Sequence, residues 1–170
     1  MRVEIRLAAL ACFLIVLPAH PSRLSAQESG QGESPGGSER DPSSEPLNDI
    51  KLLAQSAALP SLQGDEKFIL RESWWNGSIS PGKAKLIQVQ LFRRNAYRFW
   101  LAVPDRDASL NLNIYDSEGE MVPSEALSYE GTNVVGVEIE PELTGLYYVR
   151  VSLKTTIDHP QDWAVIYAYR

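Results

Sequence analysis

The sequence predicts an all-β fold: two antiparallel sheets packed face to face as a sandwich of seven or eight strands. Three observations predict it. Apolar and polar side chains alternate from about residue 84 onward, the period of half-buried antiparallel strands. Turn residues interrupt that alternation at nearly regular spacing, at Ser80-Pro81-Gly82-Lys83, Asp116-Ser117-Glu118-Gly119 and Pro141-Glu142-Leu143-Thr144-Gly145. No helical pattern is long enough to cover a parallel sheet.

The chain of 170 residues opens with Met1–Ala26, which reads as a secretory signal peptide. Arg2 and Arg6 supply a basic start, Leu7–Leu17 an apolar run, and Leu24-Ser25-Ala26 a small-residue cleavage site. The apolar run is shorter than the roughly 18–20 residues that span a bilayer. Cys12 lies inside this run rather than after it, so a lipid-modified cysteine is not expected. The expectation is export to the periplasm, cell surface or medium, with no transmembrane segment after processing.

Processing would remove three basic residues (Arg2, Arg6, Arg23) of 16 and one acidic residue (Glu4) of 22, taking the net charge from −6 to −8. Such a balance argues against nucleic acid and anionic lipid as partners, since phosphate binding is driven by clustered Lys and Arg. Cys12, the sole cysteine, leaves with the signal. The mature domain then relies on a hydrophobic core instead of disulfides.

Residues 27–46 contain no large apolar side chain and are rich in Ser, Gly, Glu and Pro, which predicts a disordered linker. Residues 47–60 differ: Leu47, Ile50, Leu53, Ala54 and Ala57 recur at helical spacing and predict a short amphipathic helix, stopped by Pro60. Its apolar stripe is expected to pack on its own domain.

The β-sandwich is expected over 65–170. Phe68–Trp75 is ambiguous, with Trp74-Trp75-Asn76-Gly77 resembling a strand that enters a turn. Lys85–Phe92 places Ile87, Val89 and Leu91 inward and Gln88 and Gln90 outward. Tyr97, Phe99, Leu101 and Val103 share one face of the next strand, with Arg98, Trp100 and Ala102 on the other. Leu110, Leu112 and Ile114 then alternate with Asn111, Asn113 and Tyr115. Met121-Val122 reads as a short strand and Ser124–Tyr129 as a loop or one helical turn. Asn133–Glu140, Leu146–Leu153 and Asp162–Tyr169 complete the set.

The run WNGSISPGK (Trp75–Lys83), then YRFWLAV, LNLNIYDSEGEMV, PELTGLYYVRV and a closing aromatic strand resemble the bacterial pre-peptidase C-terminal domain. The matching signals are Gly77-Ser78-Ile79 with Gly82, Tyr97–Leu101, Leu110–Gly119 and Gly145–Val149, and the resemblance covers about Trp74–Tyr169. It implies a small secreted sandwich of jelly-roll type, a non-catalytic accessory module that accompanies peptidases or binds a protein or polysaccharide.

Little in the sequence points to catalysis. His159 is the one histidine after processing, and neither Asp158 nor Asp162 comes with a glycine-flanked nucleophile. His159 with carboxylates alone makes a poor zinc set. Asp105 and Asp107, and Asp116, Glu118 and Glu120, place oxygens at alternate positions, which raises calcium as an alternative to no cofactor. The same residues are ordinary turn formers and lack the glycine and distal glutamate of an EF-hand loop. Acids are plentiful, but no spacing selects the pair a glycosidase needs. Asn76-Gly77-Ser78 is first of all a turn signal.

The candidate ligand-binding residues are Trp74, Trp75, Trp100 and Trp163, which could stack on sugar rings if exposed in a row; the opposing expectation is that the helix or the second sheet covers them. The leading expectation is thus an exported, non-catalytic binding or structural module. A carbohydrate-binding module, a small secreted hydrolase and an edge-strand subunit of a larger assembly are the alternatives.

Overall fold

The computed structural model describes residues 45–129 and 133–170. The expected signal peptide and residues 27–44 of the expected linker lie outside the described residues. The chain runs α1 (Glu45–Gln63), β1 (Ile69–Leu70), β2 (Trp75–Ile79), β3 (Ala84–Leu91), β4 (Tyr97–Ala102), β5 (Ser109–Tyr115), β6 (Glu125–Ser128), β7 (Val134–Ile139), β8 (Gly145–Lys154) and β9 (Gln161–Tyr169). The strands form two antiparallel sheets, as the alternation predicts. One sheet has the order β1-β9-β4-β7-β6, with β2 continuing the β1 edge along β9; the other has the order β3-β8-β5. The chain changes sheet at almost every connection, so sequence neighbours face each other across the core.

Two strand assignments change. Glu125–Ser128, read as loop or helix, is an edge strand in register with β7 from Glu125↔Glu138 to Ser128↔Val135. Glu, Ala and Leu favour a helix locally, and the exposed edge of β7 overrides that preference. Met121-Val122, read as a strand, makes only the isolated bridge Tyr115↔Met121. The hairpin turn before it forms as expected: Gly119 takes φ +84°, and its N–H donates to Asp116 O at 3.2 Å.

The helix is longer than its apolar pattern predicts. It includes Pro46 in its first turn, where a missing N–H costs nothing. It also continues past Pro60 to Gln63, contrary to expectation. Proline removes a bond to the preceding turn but leaves its own carbonyl available, and Pro60 O accepts from Gly64 N at 2.9 Å. The ring itself points to solvent.

Ile50, Ala54, Ala58 and Ser61 form the buried stripe of α1, at spacings of four, four and three. This stripe lies on the outer face of the six-stranded sheet, over β4 and β9. The two-layer sandwich therefore carries a third layer, and β4 and β9 are covered on both faces. Trp100, Ala102, Ala164, Ile166 and Ala168 meet the helix. Alanines on both elements let the backbones approach closely.

Toward the other sheet, Phe99, Leu101, Val165 and Tyr167 pack against Ile87, Leu91, Ile114, Val149 and Val151. Trp75, Tyr167 and Phe99 form a continuous stack across β2, β9 and β4, with centroid separations of 5.0 and 5.3 Å. Burying one such aliphatic or aromatic side chain contributes about 1.5–3 kcal/mol. Every inward residue predicted from the alternation of β3 (Ile87, Val89, Leu91) and β4 (Tyr97, Phe99, Leu101, Val103) lies in this cluster.

An ion cluster fastens the end of the helix layer to the sheet. Arg98 Nε donates to Glu138 Oε2 at 2.6 Å, Nη2 to Glu66 Oε2 at 2.7 Å and Nη1 to Ser61 Oγ at 2.9 Å. The guanidinium lies 4.2 Å from the Phe68 ring centroid, and Arg170 approaches the same ring at 5.1 Å.

Candidate functional site

The two sheets differ on their outward faces. The six-stranded sheet is roofed by α1, whereas no described element covers the outer face of β3-β8-β5. Antiparallel register sets that face in rows: Ala84, Ser152 and Asn111; Leu86, Arg150 and Asn113; Gln88, Tyr148 and Tyr115. The turn Asp116–Gly119 rises beside Tyr115 and walls one side, leaving a groove of about 590 Å³ floored by Leu86, Tyr115, Tyr148 and Arg150.

The groove itself is largely apolar, formed by Ala84, exposed Leu86 and the rings of Tyr115 and Tyr148, with Arg150 and Glu118 as its charged groups and the amides of Gln88 and Asn111 outside it on the same face. Tyr115 and Tyr148 are half-buried register partners on this face, and both line the groove. Gln88 and Asn111 are exposed, and their amides have no hydrogen-bond partner among the described residues. Arg150 donates to Ser152 Oγ at 3.2 Å and engages no carboxylate among the described residues. Amides donate and accept, phenols do the same, and aromatic faces offer apolar area at little entropic cost.

The tryptophans do not form a shared row. Trp100 is fully buried under the helix, with Nε1 donating to Tyr129 Oη at 2.8 Å. Trp163 is buried between the sheets, and its Nε1 has no acceptor among the described residues. Trp75 packs against the same interior, stacked on Tyr167. Trp74 is half-buried on the opposite, helix-facing side, with Lys51 Nζ 4.8 Å from its ring centroid. The four side chains are thus divided between the two faces of one sheet, and this corrects the expectation of an exposed row. For Trp74 and Trp75 the reason is local, since consecutive residues of an extended segment leading into β2 point to opposite faces.

The leading aspartates of the acidic runs are engaged by turn amides and, at Asp105, by a remote hydroxyl. Asp116 Oδ1 accepts from Glu118 N and Glu120 N, both at 2.9 Å. Asp105 Oδ1 accepts from Asp107 N at 3.0 Å and Oδ2 accepts from Thr155 Oγ1. The Thr155 hydroxyl first, and then the Asp107 amide, hold the Asp105 carboxyl below the usual aspartate range. Among the described residues no three His, Cys, Asp or Glu side chains converge as a metal set. His159 is exposed, with Nδ1 3.1 Å from Gln161 Nε2.

The alternation of Gln88, Gln90, Asn111, Asn113 and Tyr115 already marks them as outward-facing. Tyr148 carries the same signal, being the polar-phase neighbour of inward Tyr147. The sequence lacks the strand order that brings these residues onto one surface. Arg150 was missed for that reason.

No family model matches the chain, and no curated protein matches it. Among solved structures, the chain is similar to Bacillus licheniformis lipase BlEst2 in its propeptide form, at 10% identity and a TM-score of 0.36. The match covers 67% of this chain and 26% of that one, so this chain spans about a quarter of that protein's length. A likeness of this degree carries no argument about chemistry. No helix among the described residues is long and apolar enough to cross a membrane.

Proposed function

We propose that this chain is an exported, non-catalytic binding module of the pre-peptidase C-terminal kind, and that it holds an extended polysaccharide along the open face of β3-β8-β5. The observation that carries the reading is the Tyr115–Tyr148 pair in its groove, flanked by Gln88, Asn113 and Arg150. Sugar rings offer apolar C–H faces to aromatic rings and hydroxyls to amides, and this surface supplies both partners. The resemblance of Trp74–Tyr169 to secreted sandwich modules supports the compartment. Support for a non-catalytic role comes from Asp105 and Asp116, whose carboxylates already accept from turn amides and, for Asp105, from Thr155.

The test is retention on insoluble glycans. The processed protein is mixed with cellulose, chitin and peptidoglycan, and the bound fraction is measured beside a Tyr115→Ala/Tyr148→Ala variant. Retention of the parent on at least one glycan, with at least tenfold weaker retention of the variant, is the expected result. Equal behaviour of the two proteins, or no retention on any of the three, overturns the reading.

A further inference from the structure

A second cavity lies at the other end of β3, where the chain turns into β4. It measures about 220 Å³ and is lined by Arg71, Gln90, Asn95, Tyr97, Tyr167 and Tyr169, with Phe92 at its mouth. We infer that this cavity binds a small organic carboxylate, a site separate from the glycan face and independent of whether that face binds anything.

The donors converge there for identifiable reasons. Arg71 follows β1, and its backbone N–H donates to Tyr167 O at 3.0 Å, which anchors the residue along β9. Its guanidinium stands 5.7 Å from the Tyr169 ring centroid and pairs with no acid among the described residues. Tyr167, and less strongly Tyr169, raise its pKa. Tyr97 supplies a donor. It is only 4% exposed, and its oxygen accepts from Phe92 N at 3.0 Å and from Asn95 Nδ2 at 3.2 Å. Both lone pairs are used, so its O–H is a donor at the cavity wall.

Charge and size then select the ligand. Among the described residues no carboxylate lines the cavity, in a chain whose net charge is −6. One guanidinium among neutral phenols balances a single negative charge, and its planar fork matches the two oxygens of a carboxylate. A phosphate dianion would leave one charge uncompensated. The volume falls below the roughly 300–1,000 Å³ of sites for drug-sized ligands, so it suits a group about the size of one sugar ring or amino acid. Rings of Tyr167, Tyr169 and Phe92 provide walls for the organic part.

The experiment is an NMR titration of the full processed chain with sodium glucuronate and with sodium acetate, against glucose and inorganic phosphate. Saturable shifts at the amides of Arg71, Tyr97 and Tyr167 with at least one carboxylate, and none with glucose, are expected. Arg71→Gln should weaken that binding at least tenfold, with Arg71→Lys intermediate. The Tyr115→Ala/Tyr148→Ala variant should bind carboxylate like the parent, which separates this site from the glycan face. The inference is overturned by shifts with neither carboxylate, by Arg71→Gln binding as the parent does, or by phosphate or glucose binding as tightly as carboxylate.

Discussion

Trp100 on β4 and Gly136 on β7 are register partners, and the indole ring occupies the space that a side chain at position 136 would need. A Cβ there would lie 3.2 Å from Trp100 Cδ1, from Leu127 Cβ and from the Phe99 carbonyl oxygen. The same device recurs on the other side of β9, where a Cβ at Gly77 would lie 3.3 Å from Cζ2 of its partner Trp163. Each buried tryptophan faces a glycine across the ladder.

Gly136→Ala should therefore destabilise the fold by about 1–3 kcal/mol, the usual cost of overpacking a site that cannot relax. Gly145→Ala is the control, since nothing lies within 4 Å of the added Cβ. It should be neutral within about 0.5 kcal/mol. Urea unfolding midpoints compare the two. Equal effects would mean that the Trp100 ring does not fill the space beside Gly136.

The two buried indoles differ in their hydrogen bonding. Trp100→Phe removes a donor to Tyr129, with a net loss of about 0.5–1.5 kcal/mol on top of the volume change. Trp163→Phe removes an N–H that has no acceptor among the described residues, so relief of its desolvation offsets part of the lost volume. Of the two variants, Trp100→Phe should unfold at the lower denaturant concentration. The reverse order would contradict the assigned bonding.

Arg98 and Arg170 contact the same two glutamates from different depths. Arg98 and Glu138 have side chains 16% and 15% exposed, whereas Arg170 is 36% exposed and reaches Glu138 at 3.8 Å. Arg98→Met leaves Glu138 poorly compensated and releases Ser61 at the end of α1, for about 2–3 kcal/mol. Arg170→Met should cost about 0–1 kcal/mol, the range of exposed pairs. Adding salt should narrow the effect of Arg170→Met more than that of Arg98→Met.

These residues also show how far the sequence could be read. Alternation alone placed Phe99 and Leu101 on one face and Trp100 on the other, and both faces proved to be buried. What it could not supply was the cover, because whether the helix meets Trp100 depends on strands β4 and β9 lying together beneath it. Pro60 was misread for a local reason: a proline near a helix end forfeits one bond without preventing the next turn. Ser124–Tyr129 was misread for a non-local one, since an edge strand of helix-favouring residues is dictated by its neighbour. The open face was half legible. Its amides and Tyr115 follow from parity, whereas the Tyr115–Tyr148 adjacency and the cavity around Arg71 are products of strand order and of contacts between segments remote in sequence.

Calcium should leave thermal unfolding unchanged. Asp116 Oδ1 already accepts two backbone N–H groups, and both Asp105 oxygens have donors. Binding to the folded state alone would raise the melting temperature in proportion to occupancy. The comparison is millimolar calcium against chelator, and a reproducible rise with calcium would mean that these turns open to take the ion.

The Asp105–Thr155 contact ties the turn after β4 to the chain leaving β8, and it should make stability acid-sensitive. The Thr155 hydroxyl and the Asp107 amide favour the ionised carboxyl, so its folded pKa lies below the unfolded one. The folded state then binds the proton more weakly than the unfolded state. Its stabilisation is complete above the ordinary aspartate value of about 3.9 and is lost as pH falls through the lower folded value. Asp105→Asn cannot ionise, so the difference in unfolding midpoint between parent and variant should be largest near neutrality and should shrink below about pH 4. Thr155→Val should show the same trend with an acid-independent remainder, because Thr155 Oγ1 also accepts from Ile157 N at 3.1 Å. A midpoint difference for Asp105→Asn that stays constant from neutrality into strong acid would show that the ionised form gains nothing from these donors.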